Sequence, residues 1–138
     1  MPKLIYLTRE QLELIHAGVL AKSAGLFGTR EHGVLLGLED SPRQEVFGKE
    51  LYPTIFHKAA VYARTIITQH PFLDGNKRTG IMAALTFLDV NGHTITASDD
   101  DVFDEALAIA TQKPEIEEIA AWLESHTMKA ASARKGKK

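Results

Sequence analysis

The chain has 138 residues, 44% of them hydrophobic, so it can bury one core and is too short for two ordinary domains. The 16 Lys and Arg residues are offset by 18 Asp and Glu, and a net charge of -2 gives no general attraction to nucleic acid or anionic lipid. The absence of cysteine excludes disulfides and thiolate metal sites. With no membrane-spanning apolar stretch and no signal peptide, we expect a cytoplasmic protein.

The N-terminal segment predicts an amphipathic helix. Thr8 and Gln11 fit a capping box, which starts the helix at Arg9, and we expect it to end near Ala24, where a glycine-rich turn follows. The buried stripe of this helix consists of Leu12, Ile15, His16, Val19 and Leu20. Because His16 lies on that stripe, we interpret it as a packed or hydrogen-bonded structural residue.

The middle of the chain predicts a short helix, a loop and a long central helix. The short helix is expected from about Thr29 to Leu38, and the polar residues 39–45 that follow are typical of an exposed loop. Pro53 suits a first helical turn, and an apolar pattern runs from there to Gln69. The helix should stop at His70, because a following proline disfavours the helical conformation.

The C-terminal half predicts three more helices. The first follows the loop 72–75 and ends at the left-handed stop Asn91-Gly92. Residues 93–96 alternate like a strand but are too few to imply a sheet. Ser98 caps the next helix, and Pro114 starts the last one. The apolar stripe of the Ser98-capped helix consists of Val102, Phe103, Ala106, Leu107 and Ala110.

These elements together predict an all-α protein with a single domain over residues 1–128. The two most strongly periodic helices flank the loop 72–75 and should form the central pair of a helical bundle. The basic residues 129–138 have no apolar anchors, and we expect them to form a flexible tail.

The run from His70 to Arg78, with the sequence HPFLDGNKR, contains residue types that folding alone does not explain. Gly75 lets the backbone turn sharply, and the helix that begins near Asn76 or Lys77 directs unpaired N–H groups and a partial positive charge at the loop. The Asn76 amide, the Lys77 ammonium and the Arg78 guanidinium add donors that suit phosphate oxygens. The expected ligand is therefore a phosphate group.

Two further residues of this run suggest the chemistry. A carboxylate beside a phosphate is repelled unless a cation lies between them, and Mg²⁺ is usually bound by a carboxylate together with phosphate oxygens, which predicts Asp74 as a Mg²⁺ ligand. His70 is the natural general base for an incoming hydroxyl, because imidazole exchanges protons readily near neutral pH. Phe72, an aromatic between polar neighbours, is expected to point into the core and fix the loop.

The same run resembles the signature of the Fic/Doc family, His-x-Phe-x-Asp/Glu-Gly/Ala-Asn followed by Lys-Arg or Gly-Arg, and the similarity covers roughly residues 4–127. The resemblance implies an all-α fold in which His70 is the catalytic base, Asp74 holds Mg²⁺, and Gly75 to Arg78 form the anion hole. A loop that docks the backbone of the target protein would lie before Pro53.

Two positions favour the death-on-curing branch of the family over its adenylyl-transferring members. Those members have glycine after the motif Asn and a second Arg three residues after the first, whereas this chain has Lys77 and Ile81. The resemblance then implies a toxin that transfers a phosphoryl group from ATP to a Ser or Thr hydroxyl, with elongation factor Tu as the target. The alternative is transfer of AMP to a protein hydroxyl.

Control of the activity is expected to come from a separate antitoxin protein. Fic-type enzymes are often inhibited by a Ser/Thr-x-x-x-Glu-Gly/Asn helix within the same chain. The segments Ser41–Glu45 and Thr111–Glu115 have that spacing, but Val46 and Ile116 follow where Gly or Asn is required. The sequence thus predicts no internal inhibitor and an antitoxin segment bound in an apolar groove.

Three other readings are weaker. A zinc enzyme would need paired histidines, and no His-x-x-x-His spacing occurs. A nucleic-acid binder would use Lys77 and Arg78 but would leave His70 and Asp74 unexplained, so we expect no nucleic-acid partner. A non-catalytic binding module would not need the intact set of motif residues.

Overall fold

The computed structural model describes residues 3–22 and 25–130. Over these ranges the helices are α1 (Arg9–Leu20), α2 (His32–Gly37), α3 (Ile55–Gln69), α4 (Asn76–Val90), α5 (Asp99–Gln112) and α6 (Ile116–Ser125). The strands are β1 (Glu45–Val46), β2 (Lys49–Glu50), β3 (His93–Ile95) and β4 (Thr127–Lys129), and a short 3-10 helix covers Ser41–Arg43. The predicted mostly helical fold is confirmed.

Side-chain caps place the first turns of α1 and α5 where the sequence predicts them. Thr8 Oγ1 accepts a hydrogen bond from Gln11 N at 3.2 Å, and Gln11 Oε1 accepts one from Thr8 N at 2.8 Å. The capping box and the start at Arg9 are therefore confirmed. Ser98 Oγ accepts from Asp101 N at 3.1 Å. The end of α1 differs from the prediction near Ala24: the helix ends at Leu20, because Lys22 N bonds to Val19 O in a tighter turn after the cap residue Ala21. Residues 23 and 24 lie outside the described ranges.

Two helices begin two residues later than their prolines suggest. α3 begins at Ile55 because the Thr54 side chain accepts a hydrogen bond from His57 N and takes the cap position. α6 begins at Ile116, where Glu115 forms a capping box with Glu118. A side-chain cap thus determines each start more strongly than the favourable backbone of a nearby proline.

The central pair of the bundle consists of α3 and α4, which approach each other closely at Gly80. A Cβ on Gly80 would lie 2.6 Å from Ile67 Cγ1 and 3.0 Å from Ala63 O, so only glycine fits there. The other face of α3 is buried as well. Burial raises the pKa of Tyr62 to about 12, and its hydroxyl oxygen accepts a hydrogen bond from Leu7 N at 3.1 Å.

Two small antiparallel sheets depart from the prediction. The exposed loop expected over 39–45 contains the 3-10 helix and β1, which pairs with β2 in a hairpin. The segment 93–96, expected not to form a sheet, pairs as β3 with β4. β4 follows α6, so the local sequence pattern of residues 93–96 gives no indication of this pairing. β4 reaches Lys129, the first residue of the expected tail, whereas residues 131–138 lie outside the described ranges.

Candidate active site

The motif loop joins the C-terminal end of α3 to the N-terminal end of α4. His70 ends α3 in a left-handed conformation with φ of 52°, because Pro71 prevents the helix from continuing. Gly75 caps α4 with φ of 78°, a conformation that side-chain-bearing residues rarely adopt. The loop therefore reverses direction within a few residues and leaves the His70 side chain exposed.

The backbone of this loop is held from one side by the segment 25–31. Arg30 N donates to Pro71 O at 2.6 Å, and Leu73 N donates to Gly28 O at 3.0 Å. The Arg30 guanidinium also donates to His70 O at 2.8 Å. These bonds fix the main chain on both sides of the candidate base while its imidazole remains accessible.

The opposite side of the loop is held by Asn76 and His16. Asn76 Oδ1 accepts from Phe72 N at 3.0 Å, and Asn76 Nδ2 donates to Phe72 O at 2.9 Å. The buried Phe72 ring stacks on the His16 ring with centroids 3.9 Å apart, and His16 Nε2 lies 2.8 Å from Asp74 O. Phe72 as a core anchor and His16 as a structural histidine are both confirmed. Asn76, predicted as an anion donor, also clamps the loop.

The Asp74 carboxylate is oriented by two backbone donors. Its Oδ1 accepts from Gly75 N at 2.8 Å, and its Oδ2 accepts from Leu26 N at 3.3 Å. A Cβ on Gly25 would lie 3.0 Å from Asp74 Oδ2, so the chain passes close to the carboxylate. Each carboxylate oxygen has further lone pairs, and the side chain is exposed. A single oriented carboxylate of this kind fits Mg²⁺ completed by phosphate and water oxygens.

The loop and the first turn of α4 form one wall of an open cleft of about 370 Å³. All the predicted site residues line it: His70, Asp74, Gly75, Asn76, Lys77 and Arg78. Val19, Leu20, Leu73 and Phe103 supply its apolar lining. Phe103 belongs to the predicted apolar stripe of α5, and 47% of this residue is exposed. A helical stripe does not distinguish a core position from one at the edge of a cleft.

The cleft is locally cationic despite the net negative charge of the chain. Lys77 and Arg78 are exposed, and no carboxylate oxygen of residues 3–22 and 25–130 lies within 4 Å of their charged nitrogens. The N–H groups of the first turn of α4 have no acceptor within the helix and add the positive end of its dipole. Both effects attract an anion to the mouth of α4.

Ile81, one turn beyond the motif cations, is 1% exposed. Its side chain therefore contributes to the core, and the helix provides no third cation at that position. Arg78 also borders a second cavity of about 340 Å³ between α4 and α5. In the described part of the chain, no three His, Asp or Glu side chains come together to hold a metal, and no helix could span a bilayer.

The run HPFLDGNKR, held between two central helices at the edge of a cationic cleft, is characteristic of a helical class of protein-modifying transferases. The chain belongs to the Fic/Doc family: the sequence model described as Fic/DOC family matches residues 6–88. The chain is also 35% identical over 123 residues to a protein named Toxin Doc from Mycolicibacterium smegmatis (strain ATCC 700084 / mc(2)155). The aligned region covers 86% of this chain and 90% of that relative.

Proposed function

We propose that this protein is the toxin of a toxin–antitoxin pair and transfers the γ-phosphoryl group of ATP to a Ser or Thr hydroxyl of a target protein. Family membership and the relative named Toxin Doc support the general assignment. The observation that carries the reaction type is the buried Ile81, which stands where the adenylyl-transferring members have a second motif arginine.

The chain's own groups suit phosphoryl transfer. The His70 imidazole accepts the proton of the target hydroxyl while the hydroxyl oxygen bonds to the γ-phosphorus. The bond from that phosphorus to the bridging oxygen breaks, and ADP leaves. Lys77, Arg78 and the N-terminus of α4 neutralise charge on the phosphoryl oxygens during this step. Asp74 would hold Mg²⁺, which supplies further neutralisation of phosphate charge when bound.

Adenylyl transfer makes a greater demand on the same helix. The β- and γ-phosphates are then the leaving group, and they require cationic contacts that continue along the helix beyond Arg78. The buried position of Ile81 supplies none. We also infer that Lys77, in place of the glycine of the adenylyl-transferring members, leaves less room for the α-phosphate and adenosine. The charge in the cleft is sufficient for one terminal phosphoryl group, which favours the kinase reaction.

The hairpin of β1 and β2 is the proposed docking element for the target. It occupies the region before Pro53 where the family resemblance places such a loop, and its residues 45–50 are all exposed. The two outer edges of such a hairpin can pair with an extended target segment by strand addition. Phe47 at its tip is fully exposed and offers an aromatic anchor.

The proposed target is elongation factor Tu, as in the death-on-curing branch of the family. Modification of this factor would stop translation, which places the toxin in the cytoplasm and predicts that its expression slows bacterial growth. Normal growth at high expression, with unmodified elongation factor Tu, would refute the target assignment.

Neutralisation is assigned to a separate antitoxin. A groove of about 330 Å³ between α1 and α4 is lined by Ile15, Val19 and Met82 and ends at Arg78. An amphipathic segment bound there would lie against the anion hole. Neither candidate for an internal inhibitor is an α-helix of its own, because Glu45 lies in β1 and Glu115 follows the end of α5. We therefore expect that neither Glu45→Gly nor Glu115→Gly activates the purified protein.

The decisive experiment incubates wild-type protein and His70→Ala with a bacterial lysate and ATP labelled at either the α- or the γ-phosphate. We expect label only from the γ-phosphate, on a protein Ser or Thr, and only with the wild type. A mass increase of AMP on the modified peptide would replace the kinase assignment by adenylyl transfer. Absence of any label would count against enzymatic transfer altogether.

A further inference from the structure

Lys58, near the start of α3, is the one lysine among the described residues whose side chain is buried, with 2% of the residue exposed. Its Nζ donates to Glu50 Oε1 at 2.5 Å, to Tyr52 O at 2.6 Å and to Pro42 O at 3.3 Å. These three acceptors match the three N–H donors of an ammonium group. The phosphoryl-transfer chemistry proposed above makes no use of this residue.

The three acceptors belong to separate parts of one excursion of the chain. Pro42 lies in the 3-10 helix before the hairpin, Glu50 lies in β2, and Tyr52 leads from the hairpin back to α3. One side chain of the central helix therefore binds both ends of the segment that carries the hairpin. Burial of an ammonium group is unfavourable without hydrogen-bond acceptors, so the buried position of Lys58 depends on these acceptors being in place.

Besides Lys58, a hydrogen bond from Leu51 N to Gln44 O at 2.8 Å and the Arg43 guanidinium, 4.1 Å from the centre of the Tyr6 ring, hold the base of the hairpin. Its ladder joins only two residue pairs, and residues 45–50 are all exposed, so their side chains contribute little to the core. An isolated two-stranded hairpin is marginally stable in water. The pose of its tip relative to the bundle therefore depends on contacts at its base, among which those of Lys58 are the most buried.

We propose that Lys58 is a positioning residue for the target protein: by fixing the base of the hairpin, it holds the docking edge in the orientation that target binding requires. This inference rests on the proposed docking role of the hairpin. It assigns to Lys58 an effect on target binding and not on ATP binding or on the chemical step, because none of its contacts is with a residue of the cleft.

Substitution by methionine keeps the length and apolar stem of the side chain but removes all three donors. If the hairpin stayed in place, the carbonyl groups of Pro42 and Tyr52 would lose their buried donor. Opening of the hairpin would let water reach them at a smaller cost than unfolding of the bundle. Lys58→Met should therefore release the hairpin while leaving α3 and α4 folded.

The test compares wild type, Lys58→Met and the control Lys129→Met, which removes an exposed lysine from a strand of the other sheet. Hydrogen exchange compares the exchange rates of the backbone amides in residues 44–52 with those in α3 and α4. Steady-state kinetics are measured with purified elongation factor Tu and γ-labelled ATP. For Lys58→Met we expect exchange of the hairpin to accelerate about tenfold or more, since a local opening governs it. The KM for elongation factor Tu should rise about tenfold, as expected for lost pre-organisation, with the KM for ATP and kcat within about twofold.

Glu50→Gln provides a second variant if Lys58→Met does not fold. It keeps both carbonyl acceptors and removes only a half-exposed carboxylate charge, so it should fold and raise the KM for elongation factor Tu by a smaller factor.

If hydrogen exchange of the hairpin is unchanged in Lys58→Met, Lys58 does not anchor the hairpin. If exchange is faster but the KM for elongation factor Tu is unchanged, the anchor does not position the target protein. An equal rise in the KM for ATP would overturn the assignment to target binding. If wild-type protein leaves elongation factor Tu unlabelled, the proposed target fails instead, and the exchange arm still decides whether Lys58 anchors the hairpin.

Discussion

The two ends of α3 differ in whether the side chain of interest is exposed or buried. At the C-terminal end, the backbone around His70 is held by hydrogen bonds from the segment 25–31, and its imidazole is exposed. At the N-terminal end, the Lys58 side chain is buried, and the hairpin that it binds is exposed. One end fixes the backbone of the proposed general base, and the other fixes the attachment point of a surface hairpin.

The difference reflects what each end must do. A proton acceptor has to be placed accurately relative to the reacting atoms, and several independent contacts supply that accuracy. The proposed docking hairpin has to present its edge to the target in one orientation, and the buried contacts of Lys58 at its base supply that orientation while the hairpin itself stays exposed. Substitutions at the two ends should therefore separate loss of chemistry from loss of target affinity.

The largest effect is expected at the reacting group itself. His70→Ala should lower the rate of transfer by roughly 10² to 10⁴, because it removes the proposed general base. The midpoint of thermal unfolding and the affinity for ATP should stay close to those of the wild type, since the side chain is exposed. Transfer assays and calorimetry on the same preparation measure both quantities. Equal rates for the two proteins would remove His70 from the mechanism.

A smaller effect on the rate, with a clear loss of stability, is expected from Asn76→Ala. The substitution removes both hydrogen bonds to the Phe72 backbone, which together contribute about 1–3 kcal/mol. The bonds from the segment 25–31 and the His16 contact with Asp74 O remain, so the loop should loosen without collapsing. Urea unfolding gives the free energy of unfolding. A wild-type stability would show that the clamp is redundant.

The sequence predicts the motif end of α3 more completely than the hairpin end, and the reason is locality. The capping box at Thr8, the turn at Gly75 and the signature run are read from neighbouring residues, and the structure has them in place. The role of the buried Lys58 depends on partners that include Pro42, which lies 16 residues earlier in the sequence. A lysine in an apolar helical pattern gives no signal of such partners.

The same limit explains the other differences between sequence and structure. The pairing of β3 with β4 joins segments on either side of two helices, and no local pattern encodes it. Phe103 belongs to a regular stripe, yet the packing of α5 against α4 leaves it at the edge of the cleft. A role that depends on the surface that an element faces can be assigned only from the assembled bundle.

The smallest effects on activity are expected from substitutions that change only helix packing or helix propensity, at Gly80 of α4 and Gly18 of α1. Gly80→Ala should lower the free energy of unfolding by about 1–3 kcal/mol, because its Cβ would overlap Ile67. Gly18→Ala in α1 is the matched control, since nothing lies within 4 Å of its Cβ, and it should stabilise the protein by about 0.5–1 kcal/mol. Thermal unfolding measures both. Equal effects of the two substitutions would mean that the central pair is not tightly packed at Gly80.

The exposed hairpin has a consequence for how such enzymes can diverge. Since residues 45–50 contribute so little to the core, most of their sequence can change without a loss of folding stability. The exceptions are Glu50, whose carboxylate accepts from Lys58, and Gly48, whose φ of 77° favours glycine. Grafting a different five-residue segment over positions 45–49 would give a chimera with the same catalytic loop and a new choice of substrate. The fold thus separates the candidate catalytic loop from the proposed docking hairpin, and Lys58 lies where the hairpin joins the bundle.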